Sequence, residues 1–234
     1  MGGLSPLYLI PLCIVGLIFP VMAVLNRKKI NQQFLQDPGQ KSSFYKQTIN
    51  ILIIMSVIIL LLMFKYKHDL ALIGLTFISS PLKLSALIVS AWLILYFLQY
   101  LKVTPKNYRR ISKRYEKIAI FMPLNKTEYH WFVGLSFTAG ICEEIIYRGF
   151  IYWQLHYYMP VIPAMIITNL VFALSHSATG LKNALYSFFL GMLWSILFVV
   201  TGSLWLAMFI HISVDMYSGT LGYRFLNTKF YENS

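Results

Sequence analysis

The length of its apolar runs constrains this chain more than any other feature. Stretches such as Leu4–Leu25, Ile49–Phe64 and Ala184–Val200 continue for too long to be core strands or ordinary core helices. A helix crossing the bilayer needs about 20 mainly apolar residues, and several runs approach or reach that length. Only 12% of the residues are charged, against about a quarter in a soluble domain. The expected fold class is therefore all-α: a polytopic transmembrane helical bundle forming one compact unit.

About seven spans account for the runs. The first is read at Leu4–Leu25 and the second at Ile49–Phe64, with a turn signal at Asp37-Pro38-Gly39 between them. The third lies within Leu70–Leu101, which is longer than one span needs and is interrupted by Ser80-Pro81. Two crossings there would make eight. Charge favours one: the connections 26–48 and 102–130 then share a side and carry five and eight Lys or Arg, against two in 65–69. That is the bias of cytoplasmic loops, with the N-terminus outside and the C-terminus cytoplasmic. Four further spans follow at Trp131–Trp153, Val161–Ser175, Ala184–Val200 and Leu204–Tyr217. The expected organisation is N-terminal spans with basic loops over 1–130, a core over 131–217 and a cytoplasmic tail over 218–234. The cluster Arg27-Lys28-Lys29 follows the first run. A cleaved signal peptide has the opposite order, so the run is expected to be retained.

A net charge of +12 would raise nucleic acid as a partner in a soluble protein. Here the Lys and Arg residues lie in connections, so anionic lipid headgroups are the partners expected of the basic surface, and no nucleic acid. Ile111, Tyr115 and Ile118 recur at helical spacing among Arg110, Lys113, Arg114 and Lys117. That pattern reads as an amphipathic helix on the inner membrane surface. Cys13 and Cys142 both fall within apolar runs, which argues against a disulfide framework.

The early spans are almost purely apolar, and the late ones are not. Span four contains Glu143, Glu144 and Arg148, span five ends against His176, and span seven contains His211 and Asp215. An Asp, Lys or Arg at mid-membrane costs roughly 2.5–3.5 kcal/mol on insertion scales, so such groups face an interior or a wet cavity and pair. Helical spacing sorts them. Glu144 with Arg148, Phe172 with His176, and His211 with Asp215 are each four apart and share a face. Glu143 is turned about 100° from its neighbour and points elsewhere. Gly134, Gly140 and Gly191 are expected to allow close helix approach.

A carboxylate and a histidine that hydrogen-bond one water make a general-base pair. A second imidazole can donate to a developing oxyanion. That is sufficient equipment for peptide hydrolysis without a side-chain nucleophile. Taken singly, the parts have plainer readings. Glu144–Arg148 reads as a structural ion pair, His176 as an interfacial cap, and His211–Asp215 as a proton relay or a staple between helices. Cys142 reads as a small buried apolar residue.

Together, Glu143-Glu144-Ile-Ile-Tyr-Arg148, Phe172-x-x-x-His176 and His211-x-x-x-Asp215 resemble the three motifs of the CPBP family in order, spacing and setting. That family comprises CAAX proteases and bacteriocin-processing or self-immunity proteins, is also called Abi, and is related to the type II CAAX prenyl endopeptidases. The resemblance covers about Trp131–Tyr217 and implies a catalytic core there. It implies Glu143 as the base that activates water, His176 as its partner and His211 at the oxyanion site. Glu144, Arg148 and Phe172 are implied in support. Asp215 stands where the prenyl endopeptidases carry Asn. Ionised Asp cannot donate to an oxyanion, so Asp215 is expected either to orient His211 and favour its imidazolium form or to be protonated itself, and the departure points to bacterial members and away from prenylated substrates. Glu143, His176 and His211 could also ligate zinc. A water-activating Glu–His pair explains the same residues, and no cofactor follows from the sequence. There is no His-Glu-x-x-His zinc helix and no Gly-x-Gly-Asp motif, and Gly134-Leu-Ser136-Phe is only a four-residue match to a rhomboid pattern.

The expected function is a membrane-embedded endopeptidase acting on peptide or membrane-protein substrates at a bacterial plasma membrane. The alternative is a non-enzymatic bacteriocin self-immunity or scaffold protein that retains the motifs for structure. A proton-coupled transporter is disfavoured by the apolar early spans.

Overall fold

A computed structural model describes residues 6–37, 39–76, 90, 103–115 and 119–228. Among them the regular structure is helical and no strand occurs, as the apolar runs require. Helix α1 covers Pro6–Leu35, α2 Gln40–Lys65 and α3 Pro105–Tyr115. Helix α4, Lys126–Glu143, continues through a π segment at Glu144–Ile151 into α5, Tyr152–Tyr158. Helices α6 (Val161–Ser175), α7 (Leu181–Thr201) and α8 (Leu204–Leu226) complete the order. Among the described residues, α1, α2 and α7 are long and apolar enough to cross a membrane, and α6 is a shorter apolar helix. The expected crossing within 70–101 falls on 77–89 and 91–102, outside the described residues, and with it the choice between seven spans and eight.

Several helices outrun the apolar stretches that announced them. Helix α1 carries Arg27-Lys28-Lys29 on to Leu35, and α2 already begins at Gln40. The connection 26–48 is therefore mostly helical and breaks only around Asp37, whose Oδ1 accepts the Gly39 N–H at 3.0 Å. Lys, Arg, Gln and Leu are good helix formers. Apolarity measures the lipid-facing length, whereas the hydrogen-bond ladder stops only at a cap. The start of α4 shows such a cap. Asn125 Oδ1 accepts the Glu128 N–H at 2.9 Å, and the Glu128 carboxylate accepts from Leu124 N–H at 2.7 Å and Asn125 Nδ2 at 2.9 Å. This capping box satisfies donors the first turn leaves open and places the helix start before Trp131.

The helix at 105–115 turns its apolar face to protein. Ile111 and Tyr115 are buried. Tyr115 donates its hydroxyl to the Ser218 carbonyl at 2.7 Å, and Phe225 stacks on its ring with centroids 6.1 Å apart. The apolar face is covered by α8, which runs past Tyr217 to Leu226 and so supplies protein where lipid was expected. Lys117 and Ile118 lie outside the described residues.

Helix α4 packs against both α2 and α8, α6 pairs with α7, and α1 lies along α6. The main core joins Ile59 and Met63 of α2 to Ile146 and Phe150 of the π segment, Phe172 of α6, Trp194 of α7 and Ala207 of α8. A Cβ on Gly140 would stand 2.8 Å from the Ile212 backbone nitrogen, so α4 and α8 meet backbone to backbone there. Gly134 has only an ordinary contact, 3.7 Å from a built Cβ to Ile49 Cδ1, and does not serve the close approach expected of it. Gly140→Ala should therefore force the helices apart at a cost of about 1–3 kcal/mol, read as a lowered midpoint in thermal unfolding, whereas Gly134→Ala should be nearly neutral.

Candidate active site

The hairpin of α5 and α6 sets the level at which the polar residues meet. Glu143 and His176 stand at nearly equal chain distance from the turn at Met159-Pro160. Helical arms of equal residue count end at similar distances from their turn, so the end of α6 comes near the level of Glu143. His176 caps the C-terminus of α6. Its Nε2 lies 4.0 Å from Glu143 Oε2. Measured from Trp131, Glu143 appears too deep for a residue at the end of span five. Measured from the turn, the two are level.

His211 enters the same place from α8. Its Nε2 is 3.8 Å from Glu143 Oε2, and its Nδ1 is 2.8 Å from Glu144 Oε1. The two carboxylates thus flank one imidazole, whereas Glu143 was expected to point away from its neighbour. The ring itself spans the difference in direction, since Glu144 meets its Nδ1 and Glu143 faces its Nε2. Asp215 Oδ2 is 3.7 Å from His211 Nε2, with 35% of its side chain exposed.

Glu144 is held from behind. Arg148 Nη1 donates to its Oε1 at 3.2 Å, and both side chains are fully buried. Arg148 Nη2 donates to Asn169 Oδ1 at 3.0 Å. The guanidinium also lies over the Phe172 ring, 4.1 Å from its centroid, a favourable cation–π position. Trp194 stacks on His211 with centroids 4.2 Å apart and planes 19° from parallel. Gly191 makes room for the Arg148–Asn169 pair. A Cβ there would collide with Asn169 Oδ1 and Arg148 Nη2, so its expected role in close approach is met at the site itself.

The hydrogen bonds specify what each ring offers. The Phe172 carbonyl lies 2.9 Å from His176 Nδ1 and can only accept, so that nitrogen carries the proton. A neutral His176 then presents Nε2 as an acceptor facing Glu143. The Glu144 carboxylate, already committed to Arg148, likewise accepts from His211 Nδ1–H. Glu143 Oε2 is buried and has no hydrogen-bond partner in the protein. A single water touching Glu143 Oε2 and His176 Nε2 fits a 4.0 Å separation, since it sits about 2.8 Å from each.

Zinc fits less well. Ligand atoms on a tetrahedral ion with bonds near 2.0 Å lie about 3.3 Å apart. Here Glu143 Oε2 stands 4.0 and 3.8 Å from the two imidazoles. Among the described residues no group of three or more His, Cys, Asp or Glu side chains is arranged to hold a metal ion.

Residues 125–217 match the family model described as type II CAAX prenyl endopeptidase Rce1-like. The Rce1-like segment contains Glu143, Glu144, Arg148, Phe172, His176, His211 and Asp215, consistent with the CPBP and CAAX protease resemblance that the motifs carry. At the level of the family it supports a membrane peptidase of CAAX-protease type. No curated protein matches the chain, and no solved structure does.

Two other sequence candidates lie apart from this chemistry. Ser136 Oγ donates to the Phe132 carbonyl of its own helix at 2.9 Å. Cys142 is buried in the apolar core. Asn169 and Trp194 escaped the sequence reading, although an amide inside the apolar run 161–175, three residues before Phe172, was a usable signal. Removing one partner of a buried ion pair strands the other. Arg148→Met should therefore cost about 3–5 kcal/mol, whereas Glu143→Gln, at a side chain 13% exposed, should leave the thermal midpoint nearly unchanged.

Proposed function

We propose that this chain is a membrane-embedded endopeptidase whose nucleophile is a water activated by Glu143 and His176. The observation that carries the reading is the convergence of two imidazole Nε2 atoms on Glu143 Oε2, at 4.0 and 3.8 Å. Water donates one hydrogen to Glu143 Oε2 and the other to His176 Nε2, which aims an oxygen lone pair at the scissile carbonyl carbon. As that C–O bond forms, Glu143 takes the proton and the carbonyl oxygen becomes an oxyanion. His211 in its imidazolium form donates Nδ1–H to Glu144 and Nε2–H to that oxyanion. Glu143 then passes its proton to the leaving nitrogen, the C–N bond breaks, and a carboxyl and an amine are released. Asp215, at the exposed rim, orients His211. Glu144, Arg148 and Phe172 hold the imidazole and the helix.

The proposed substrates are peptides or membrane-protein tails presented at the membrane. The proposed setting is a bacterial plasma membrane with the N-terminus outside and the C-terminus and basic loops cytoplasmic, where the basic loops meet anionic lipid. A quenched-fluorescent reporter peptide and purified protein in lipid test the chemistry. Glu143→Gln and His176→Ala should stay folded and lose about 10²–10⁴-fold in cleavage, the range of general acid–base catalysis. Cleavage by Glu143→Gln at the wild-type rate would sink the mechanism and favour a non-enzymatic immunity or scaffold role. Loss on chelation with recovery on added zinc would transfer water activation to a metal.

A further inference from the structure

Behind the reacting groups lies a polar chain that the reaction itself does not use. Ser195 Oγ accepts from Asn169 Nδ2 at 2.8 Å, and the Met165 carbonyl accepts the other hydrogen of the same amide at 2.8 Å. Both donors of Asn169 are thereby engaged, which fixes which end of the amide is oxygen. Oδ1 accepts from Arg148 Nη2 at 3.0 Å, Arg148 Nη1 donates to Glu144 at 3.2 Å, and Glu144 accepts from His211 Nδ1 at 2.8 Å. Ser195, Asn169, Arg148, Glu144 and His211 are all buried, at 2, 0, 0, 0 and 3% exposure. They come from α7, α6, the π segment and α8. The cradle is built to measure, since a Cβ on Gly191 would strike both Asn169 and Arg148.

We infer that Asn169, anchored by Ser195, is a positioning residue for the hydrolysis: it fixes the Arg148 guanidinium, and through Glu144 the orientation and Nδ1 proton of His211. The inference rests on the endopeptidase reading. Nothing else among the described contacts ties the guanidinium to α6 by a hydrogen bond. Without Asn169 the guanidinium is free to turn within the Phe172–Trp194 slot, and Glu144 follows it.

The test uses full-length protein in lipid, as wild type, Asn169→Leu and Ser195→Ala. Two readouts are taken: reporter cleavage resolved into kcat and KM, and the Nδ1–H resonance of His211 in 15N-histidine-labelled protein, assigned by its loss in His211→Gln. Misplacement of a reacting group by about 1 Å costs about 100-fold, so Asn169→Leu should lower kcat by about that factor with KM within twofold, and should displace the resonance. Ser195→Ala removes one neutral hydrogen bond, and kcat should fall about fivefold, again with a displaced resonance. A folded Asn169→Leu protein with wild-type kcat and an unmoved resonance overturns the inference. If Asn169→Leu does not fold, Ser195→Ala decides, and wild-type values in both readouts overturn it. If the wild type cleaves nothing, the endopeptidase reading fails, and the resonance alone decides whether Asn169 positions His211.

Discussion

A fully buried guanidinium must be paired, and the rest of this site follows from how Arg148 meets that requirement. Its fork offers hydrogens in fixed directions. One is taken by Glu144 on its own helix and another by Asn169 on α6, while Phe172 and Trp194 cover its face. An isolated charge in such surroundings would cost many kcal/mol. Glu144 in turn spends its oxygen on both Arg148 and His211. The packing demand and the chemical demand therefore coincide. The same contacts that make the cation tolerable hold the Nδ1–H of His211.

Burial is graded across the cluster. Glu144 is fully buried, Glu143 is 13% exposed, His176 31% and Asp215 35%. The holding groups are fully buried, His211 at 3% exposure lies next to them, and Glu143 and His176, proposed to hold the water, lie further toward the open side. That division separates the adjacent carboxylates Glu143 and Glu144 more sharply than their sequence positions do.

Much of this was legible in the residues. Apolar run length announced helices, and ionisable residues in the late spans named Glu143, Glu144, Arg148, His176, His211 and Asp215 before any contact was known. The motif spacings within single helices, such as Glu144 to Arg148, survive because local geometry sets them. The failures have local causes too. Helix ends were misplaced because caps such as Asn125 with Glu128, and not hydropathy, terminate a ladder. Glu143 and Glu144 diverge along their helix yet meet one ring, because an imidazole from α8 offers a nitrogen to each. The apolar face of Ile111 and Tyr115 was assigned to lipid because a sequence gives the direction of a helix face without saying what covers it. Asn169 was missed because an amide gains significance only from the cation it meets across a helix interface.

The hairpin 143–176 behaves as a vernier. Its two arms are counted from one turn, and Glu143 and His176 are opposed because the counts agree. Adding a turn of helix to one arm slides the groups past each other by about 5.4 Å, more than the 4.0 Å that now separates them. Adding a turn to both arms leaves the opposition intact and moves the pair along the hairpin axis. The depth of the reacting groups and their mutual distance are thus set by different quantities, the sum of the arm lengths and their difference. A lineage can retune how far from the turn these groups work without rebuilding the cluster, provided the arms change in step.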